Sequence, residues 1–443
     1  AVNVHSAEQL PKRFYGAEHL GLPTLNKLNV PPAWKNEPPK TIGLDIESLA
    51  SALRVAAGYQ VGAEGTRRIA PNGGGLGIAS LYVIARQVRG LEPGIYHYFG
   101  YEHKLERIGE VADELLLGAL GDTSSSMPPA VVIGTAQMTK LRNKYDNFAF
   151  RLSILDAGVT KGCLYEALNA LGIPHFDYVG ARDKVLAQIL RLPVAGHRNT
   201  ITFAIALGED KISGLKTHAN VNHNLYPDSL IEWSSQLGPT TLPAANSTRV
   251  QSLFSVTTDR NLWDVMISRR STRTFDDRPL DAKTLNLILS LSGSIDESCV
   301  NVGGLSLQMT LWVVVAVDGS SLKRGVYRWN HGANQLELRR ENFSTELLES
   351  TMSQKGFAQA PVTLFIGGNF EQAVTNYGAR GYREMLNRAG TMMLRAQLVA
   401  EALGLSGCMW GGITEEACGE LLNIDRYRDC PLFGGSLGYP ENV

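Results

Sequence analysis

The chain repeats itself. "SLASALRVAAG … NGGGL … SLYVIARQVRGLEPGIYHY" in the first half lies over "KTLNLILSLSG … NVGGL … LWVVVAVDGSSLKRGVYRW" in the second. Further on, "NKYDNFAFRLSILDAG … EALNALGIP" matches "TNYGARGYREMLNRAG … EALGLS" at a constant offset of 232 residues from Lys144 to Pro174. Such self-similarity limits the fold to one design used twice. Each copy reads as a helix, a Gly-rich loop, an apolar strand (Leu81 to Ala85; Leu311 to Val317) and a Gly–aromatic hairpin. A second strand opening on Pro follows (Pro129 to Gly134; Pro361 to Gly367), then a long helix that begins at Lys144 and Tyr145, and a last strand. Strands and helices alternate without a clean β-α-β period, which predicts the α+β class. Two fused copies should meet through one self-complementary face, as a pseudo-dimer.

The copies are separated by a stretch of loosened pattern rich in Asn, Ser, Thr and Pro, "HANVNHNLYPDSLIEWSSQLGPTTLPAANST". The expected organisation is a first domain over 1–230, a linker over 231–250 and a second domain over 251–443. A length of 443 residues agrees with two cores. The 42 basic and 43 acidic residues leave a net charge of −1, so nothing favours nucleic acid or an anionic membrane as partner. Five cysteines, an odd number with no C-x-x-C, argue against a disulfide framework or structural zinc and for a reducing, cytoplasmic setting. No apolar run is long enough to span a bilayer, and the start has no signal-peptide core. The first residue is not Met, which fits a chain that begins inside a longer gene product.

The two copies differ in the residues that carry chemistry. "NLWDVMIS" has helical apolar spacing at Leu262, Val265 and Met266, and it runs into "RRSTR". There Arg269, Ser271 and Arg273 alternate and, if the chain leaves the helix at this point, can converge on one anion, the Arg side chains as forked donors and the Ser as a hydroxyl. On local spacing alone the segment equally reads as a charged, water-facing helix end. The first half has no such cluster but keeps "RRIAPNGGGLG", where the second reads "SCVNVGGLS". Its Pro71, Asn72, Gly73 and Gly74 form a turn-type loop. Lys144 is also specific to the first half, since its counterpart is Asn376, whereas Tyr145 is matched by Tyr377.

"RRSTRTFDDRPLDAKTLNLILSLSG" resembles the opening motif of the nitroreductase family of FMN enzymes, and "ALGLSGCMWGGI" resembles that family's segment along the flavin ring. The resemblance implies that Arg269, Ser271 and Arg273, with Arg270 beside them, grip the FMN phosphate. It implies that Cys408, Met409, Gly411 and Gly412 line the isoalloxazine. It also implies two tandem nitroreductase-like domains, in which the Pro71–Gly74 loop crosses to a flavin held by the other half. Each half keeps what the other lost, so a single complete FMN site is expected.

The tandem layout, "GLEPGIYHYFGYEHKLERIG" and "KYDNFAFRLSILDAG" are similar to SagB-type dehydrogenases, the azoline oxidases of thiazole- and oxazole-modified peptide pathways. That likeness implies Lys144 and Tyr145 as the catalytic pair. It implies an azoline-containing peptide as substrate, oxygen as the final oxidant, and cyclodehydratase or synthetase proteins as partners. Aromatising an azoline removes a ring proton and a hydride, so a base is needed beside the flavin. Two other functions stay open: an NAD(P)H-dependent nitroreductase or flavin reductase, and a flavin-free scaffold of a peptide-modifying complex. Whether the chain pairs again as a homodimer is open too. Tyr96, His97 and Tyr98 read as hairpin packing, His175 as a structural histidine, and His218 and His223 as only a faint metal signal.

Overall fold

The computed structural model describes residues 12–24, 28–29, 31–35, 43–62, 65–121, 127–192, 199–208, 256–298, 301–302 and 307–441. The expected linker 231–250, the boundary at 230, Cys299, His218 and His223 lie outside the described residues.

In the first half, β1 (Glu18–Gly21), helix α1 (Ile46–Ala57) and a hairpin of β2 (Tyr59–Gly62) and β3 (Gly65–Arg68) precede β4 (Ala79–Ala85), β5 (Gly94–Phe99) and β6 (Lys104–Gly109). Then come α2 (Asp113–Leu120), β7 (Ala130–Gln137), α3 (Met138–Tyr145), α4 (Ala149–Leu171), β8 (His175–Tyr178), α5 (Asp183–Ile189) and β9 (Asn199–Leu207). The second half begins with α6 (Leu262–Ser268), α7 (Ala282–Ser298) and β10 (Asn301–Val302). It continues with β11 (Met309–Val315), β12 (Gly325–Asn330), β13 (Gln335–Arg340), α8 (Thr345–Ser350), β14 (Val362–Gly368), α9 (Phe370–Ala402), β15 (Ser406–Trp410), α10 (Glu415–Leu422) and β16 (Cys430–Gly438).

The two main sheets have the same topology. One runs β6-β5-β4-β7-β9-β8 between β1 and β10, the other β13-β12-β11-β14-β16-β15. Neighbours are antiparallel except for β10, a second-half strand that pairs in parallel with β8 of the first half. The runs "LYVIA" and "LWVVV" are apolar throughout because both faces of each strand are covered, successive side chains going to opposite faces. Leu81, Val83, Leu311 and Val313 enter one central core with the long helices. Tyr82 and Ile84 face an outer layer with α2 and α5, and Trp312 and Val314 face one with α8 and α10. The molecule is therefore α+β, with both sheets packed on a shared helical middle layer.

That middle layer is where the copies meet. A Cβ on Gly158 would fall 2.2 Å from the Asn387 carbonyl, and one on Gly390 would fall 2.4 Å from the Leu155 carbonyl. Gly158 and Gly390, like Leu155 and Asn387, are 232 residues apart. The contact is thus isologous, each half offering the same atoms to the other, as in a two-fold dimer. Only glycine lets α4 and α9 approach so closely. Thr391 fastens the crossing by donating its hydroxyl to the Gly158 carbonyl at 2.9 Å.

One expectation needs correction. Lys144 and Tyr145 do not start the long helix; they close the separate helix α3. The chain breaks at Asp146 (φ 47, ψ −126) before α4 begins. Its repeat partner Gly378 breaks α9 in nearly the same conformation (φ 57, ψ −149). The kink belongs to the design, but in the first half a residue with a side chain must adopt it.

Candidate functional site

One cavity of about 1700 Å³ lies between the halves. Its walls include every residue expected to act in catalysis or to hold the flavin: Lys144, Tyr145, Pro71, Asn72, Gly73, Gly74, Arg269, Arg270, Ser271, Arg273, Cys408, Met409, Gly411 and Gly412. Seven cationic side chains line it (Arg67, Arg68, Lys140, Lys144, Arg269, Arg270 and Arg273) against a single carboxyl, Asp156. Such a wall suits an anionic ligand.

The second half supplies a basic corner. Asn261 caps α6 by accepting from the Asp264 amide, and the helix ends at Arg269, whose amide still donates to the Val265 carbonyl. The segment then runs beside β15, with Ser271 bridged to Gly407 and the Thr272 amide donating to the Gly407 carbonyl at 3.1 Å. This contact turns the alternating side chains toward Cys408. Burial raises the Cys408 thiol, while Arg273, Arg269 and a hydrogen bond with Ser271 pull it the other way. Arg269 is buried, and its Nε and Nη1 have no hydrogen-bond partner among the described residues. Burial lowers its guanidinium to about 10. Arg270 is turned differently: it donates to the Ile267, Ser268 and Arg269 carbonyls at 2.9, 3.0 and 3.1 Å, capping its own helix. Cys408 and Met409 lie in strand β15, and only Gly411 and Gly412 belong to the loop beyond it.

The first half supplies the facing wall. The Asn72 side chain folds back on its own loop, accepting from the Gly77 amide at 2.9 Å. Gly74 adopts φ 64, and a Cβ there would fall 2.7 Å from the Tyr145 hydroxyl and 2.9 Å from Lys144 Nζ. The glycine is required twice over, by its backbone angle and by the two polar groups on its face. Lys144 is exposed at the cavity, and its ammonium lies 5.3 Å from the centre of the Tyr145 ring. Arg67 ties the two walls together, donating to the Arg269 carbonyl at 3.3 Å and also to the Ile267 carbonyl.

Three lining residues were missed from the sequence. Asp156 on α4 is fully buried and accepts the Gly73 amide with both oxygens, at 2.9 and 2.8 Å. Burial raises it to about 7, against the pull of the Gly73 amide and Arg68. Lys140 sits one turn before Lys144, buried, and is lowered to about 8 by burial and by Arg68. Arg68 donates to the Ala79 carbonyl at 2.7 Å and keeps Nε and Nη2 unpartnered among the described residues. The available signals were an acid inside the otherwise apolar "LSILDAG" and a second lysine at helical spacing in "KLRNK".

The repeat relates this cavity to a second place, and that place is filled. Met409 and Met393 have Asp177 and Lys161 as counterparts, joined at 2.7 Å. Phe148 has Arg380 as counterpart, which donates to Asp183 at 3.3 Å and to the Ala181 carbonyl at 3.0 Å. Arg383 also pairs with Asp183, mirroring the Arg151–Glu415 pair at 2.6 Å. Among the described residues the space left is about 10 Å³, room for one water at most. His175 lies on the counterpart of β15 and donates its Nδ1–H to the Ile173 carbonyl, 3.0 Å away, with its ring against Tyr165. Tyr96, His97 and Tyr98 bond to Glu92, Glu106 and His103 within the first half, away from the cavity.

The nitroreductase family model matches residues 266–439. A Methanocaldococcus jannaschii protein described as a nitroreductase is 30% identical over 171 residues, 38% of this chain and 86% of that protein. The microcin B17-processing protein McbC of Escherichia coli is 38% identical over 63 residues, 14% of this chain and 23% of McbC. A crystal structure from Anabaena variabilis, also described as a nitroreductase, has a TM-score of 0.74 at 20% identity. It covers 97% of this chain and 93% of its own, so the likeness in fold extends over both halves. With a relative covered over most of its length and the family pattern running through the second half, the chain belongs to the nitroreductase family.

Proposed function

We propose that the protein is an FMN-dependent oxidase of the SagB type that aromatises thiazoline or oxazoline rings in a peptide, in a cytoplasmic setting and alongside cyclodehydratase or synthetase proteins. The observation that carries this reading is the placement of Lys144 Nζ and the Tyr145 hydroxyl against Gly74, in the same cavity as the unpartnered guanidinium of Arg269. The local likeness to McbC, a microcin-processing protein, supports a peptide substrate.

The residues present suit FMN. Arg269 has buried donors without partners, Arg273 and Ser271 stand beside it around Cys408, and Gly411 leaves the wall without a side chain. Arg269, Ser271 and Arg273 would hold the phosphate by charge-assisted bonds. The backbone from Cys408 to Gly412 and the loop Pro71–Gly74 would flank the ring. Arg270 contributes mainly by fixing the helix end from which Arg269 departs. Bound there, FMN would supply the hydride acceptor, with oxygen as the final oxidant.

The chain's own part is binding and proton handling. The Lys144 amine takes the proton from the ring carbon next to the one that gives up hydride. Tyr145 orients the amine through its ring and places a hydroxyl at the same glycine face. Gly74 leaves room for both groups. The apolar side chains of Phe148, Leu152 and Val159 border the cavity.

Mass spectrometry of a thiazoline peptide incubated with the flavin-loaded protein tests the reading. The expected result is loss of two hydrogens, abolished by Lys144→Ala with flavin retained. Full activity in Lys144→Ala would remove the proposed base, and rapid NADH consumption with a nitroaromatic and no peptide oxidation would replace the reading by a reductase.

A further inference from the structure

The cavity of about 1700 Å³ exceeds the range of roughly 300–1,000 Å³ usual for one small ligand, so it has room for more than a flavin and one ring. One part of its wall is unused by the chemistry above. Tyr59, at the start of the β2–β3 hairpin, and Tyr101, in the turn between β5 and β6, both line the cavity. Their rings are stacked, with centres 3.9 Å apart and planes 27° apart. A hydrogen bond between their hydroxyl groups helps raise Tyr101 above its usual range, after burial and the nearby Tyr59 charge. The stack is held from several sides. Tyr59 packs against Gly77, where a Cβ would fall 2.7 Å from its hydroxyl, and Phe99 stacks behind Tyr101 at 6.2 Å. The hairpin itself is pinned to the second half by Arg67. Yet Tyr101 remains 47% exposed. The stacked pair thus presents the exposed part of Tyr101, beside Tyr59, as an aromatic surface to the cavity.

The platform stands close to the reacting groups. Gly74 carries Lys144 and Tyr145 on its face, and Gly77 carries Tyr59. Three residues of chain span about 11 Å at most. A peptide ring on the platform therefore lies within about three residues, along an extended peptide, of the ring at Lys144. The position of Tyr101 is taken by Gly332 in the repeat, so the platform, like Lys144, is specific to the first half.

Resting on the proposed dehydrogenase reading, we infer that the Tyr59–Tyr101 pair binds a flat heteroaromatic ring of the peptide, one already oxidised, within about three residues of the azoline being processed. The chemistry favours this occupant. An azoline is not aromatic, whereas the product azole offers two π-faces for offset stacking on tyrosine. In a peptide with several azolines each turnover makes the next ligand for the platform. Finished rings would move onto the tyrosines while the neighbouring azoline reaches Lys144, so that oxidation proceeds along the chain.

The test is isothermal titration of the flavin-loaded protein with two product peptides that do not react. Both carry a thiazole at the position meant for Lys144; three residues away one has a second thiazole and the other an alanine. The two-ring peptide should bind about tenfold more tightly, the size of one ring-on-ring contact. Tyr101→Ala and Tyr59→Ala should remove that difference, while Tyr101→Phe, which keeps the ring, should retain it. Equal binding of the two peptides by the parent protein overturns the inference. So does a difference that persists in both alanine variants, or no measurable binding of either peptide. Because no turnover is involved, ring discrimination without azoline oxidation would sink the dehydrogenase reading and leave the platform standing.

Discussion

Replacing Asp156 by Asn should change how stability depends on pH, in a direction opposite to most carboxylates. The Asp156 carboxyl is fully buried beneath the Gly73 amide, and burial raises it from 3.8 to about 7. Below the unfolded value both states hold the proton, and above the folded value neither does. Between them only the folded protein keeps it, so stability falls as pH rises through that window and is flat beyond it. A shift of about three units at 1.36 kcal/mol per unit puts the total near 4 kcal/mol, an upper figure for this side chain alone. Asn keeps an acceptor for the Gly73 amide and has no proton to lose. Asp156→Asn should therefore match the parent within about 1 kcal/mol near pH 4 and exceed it by up to about 4 kcal/mol near pH 8. Urea denaturation midpoints of flavin-stripped protein across this range give the comparison. A difference between the two proteins that does not change with pH, or that is larger in acid, would refute the argument.

Arg269→Ala should weaken FMN binding roughly tenfold to a hundredfold, the value of one or two charge-assisted hydrogen bonds. The same variant should be no less stable than the parent without flavin, because it removes a buried cation with two unpartnered nitrogens; fluorescence titration and thermal melting give the two readings. Asp146→Gly should stabilise the fold by about 1–3 kcal/mol, since glycine adopts the φ 47, ψ −126 backbone freely. A loss of stability in the same denaturation assay would mean that the Asp146 side chain has a role of its own. Gly390→Ala should destabilise by about 1–3 kcal/mol, because the new methyl meets the Leu155 carbonyl at 2.4 Å and the helices must part.

The fold was legible because its two signals are periodic. The apolar runs "LYVIA" and "LWVVV" recur at the same place in each copy and mark equivalent strands, and the offset of 232 residues pairs the two long helices. The isologous contact at Gly158 and Gly390 follows from the same offset, although nothing local marks either glycine as the crossing point. The break at Asp146 was hidden because an Asp gives no sign of a glycine-type backbone; the sign lay in its repeat partner, Gly378. The cavity gathers every residue expected to act in catalysis or to hold the flavin, since those segments differ between otherwise matching copies. Asp156, Lys140 and Arg68 escaped because their importance comes from burial beside the Pro71–Gly74 loop, which no spacing reports. The filled second place was equally hidden: Arg380, Arg383 and Asp183 read as ordinary helix charges until the fold brings them together in the space that the Phe148 side occupies in the other copy.

The central claim is that two matching halves make one FMN site, with the mirror position filled by its own ion pairs. Flavin absorbance of the purified, FMN-saturated protein against its concentration tests this most directly. The expected value is one FMN per chain, lost together with the yellow colour when Arg269 and Arg273 are both replaced by alanine. Two FMN per chain, or colourless protein after saturation with FMN, would contradict it.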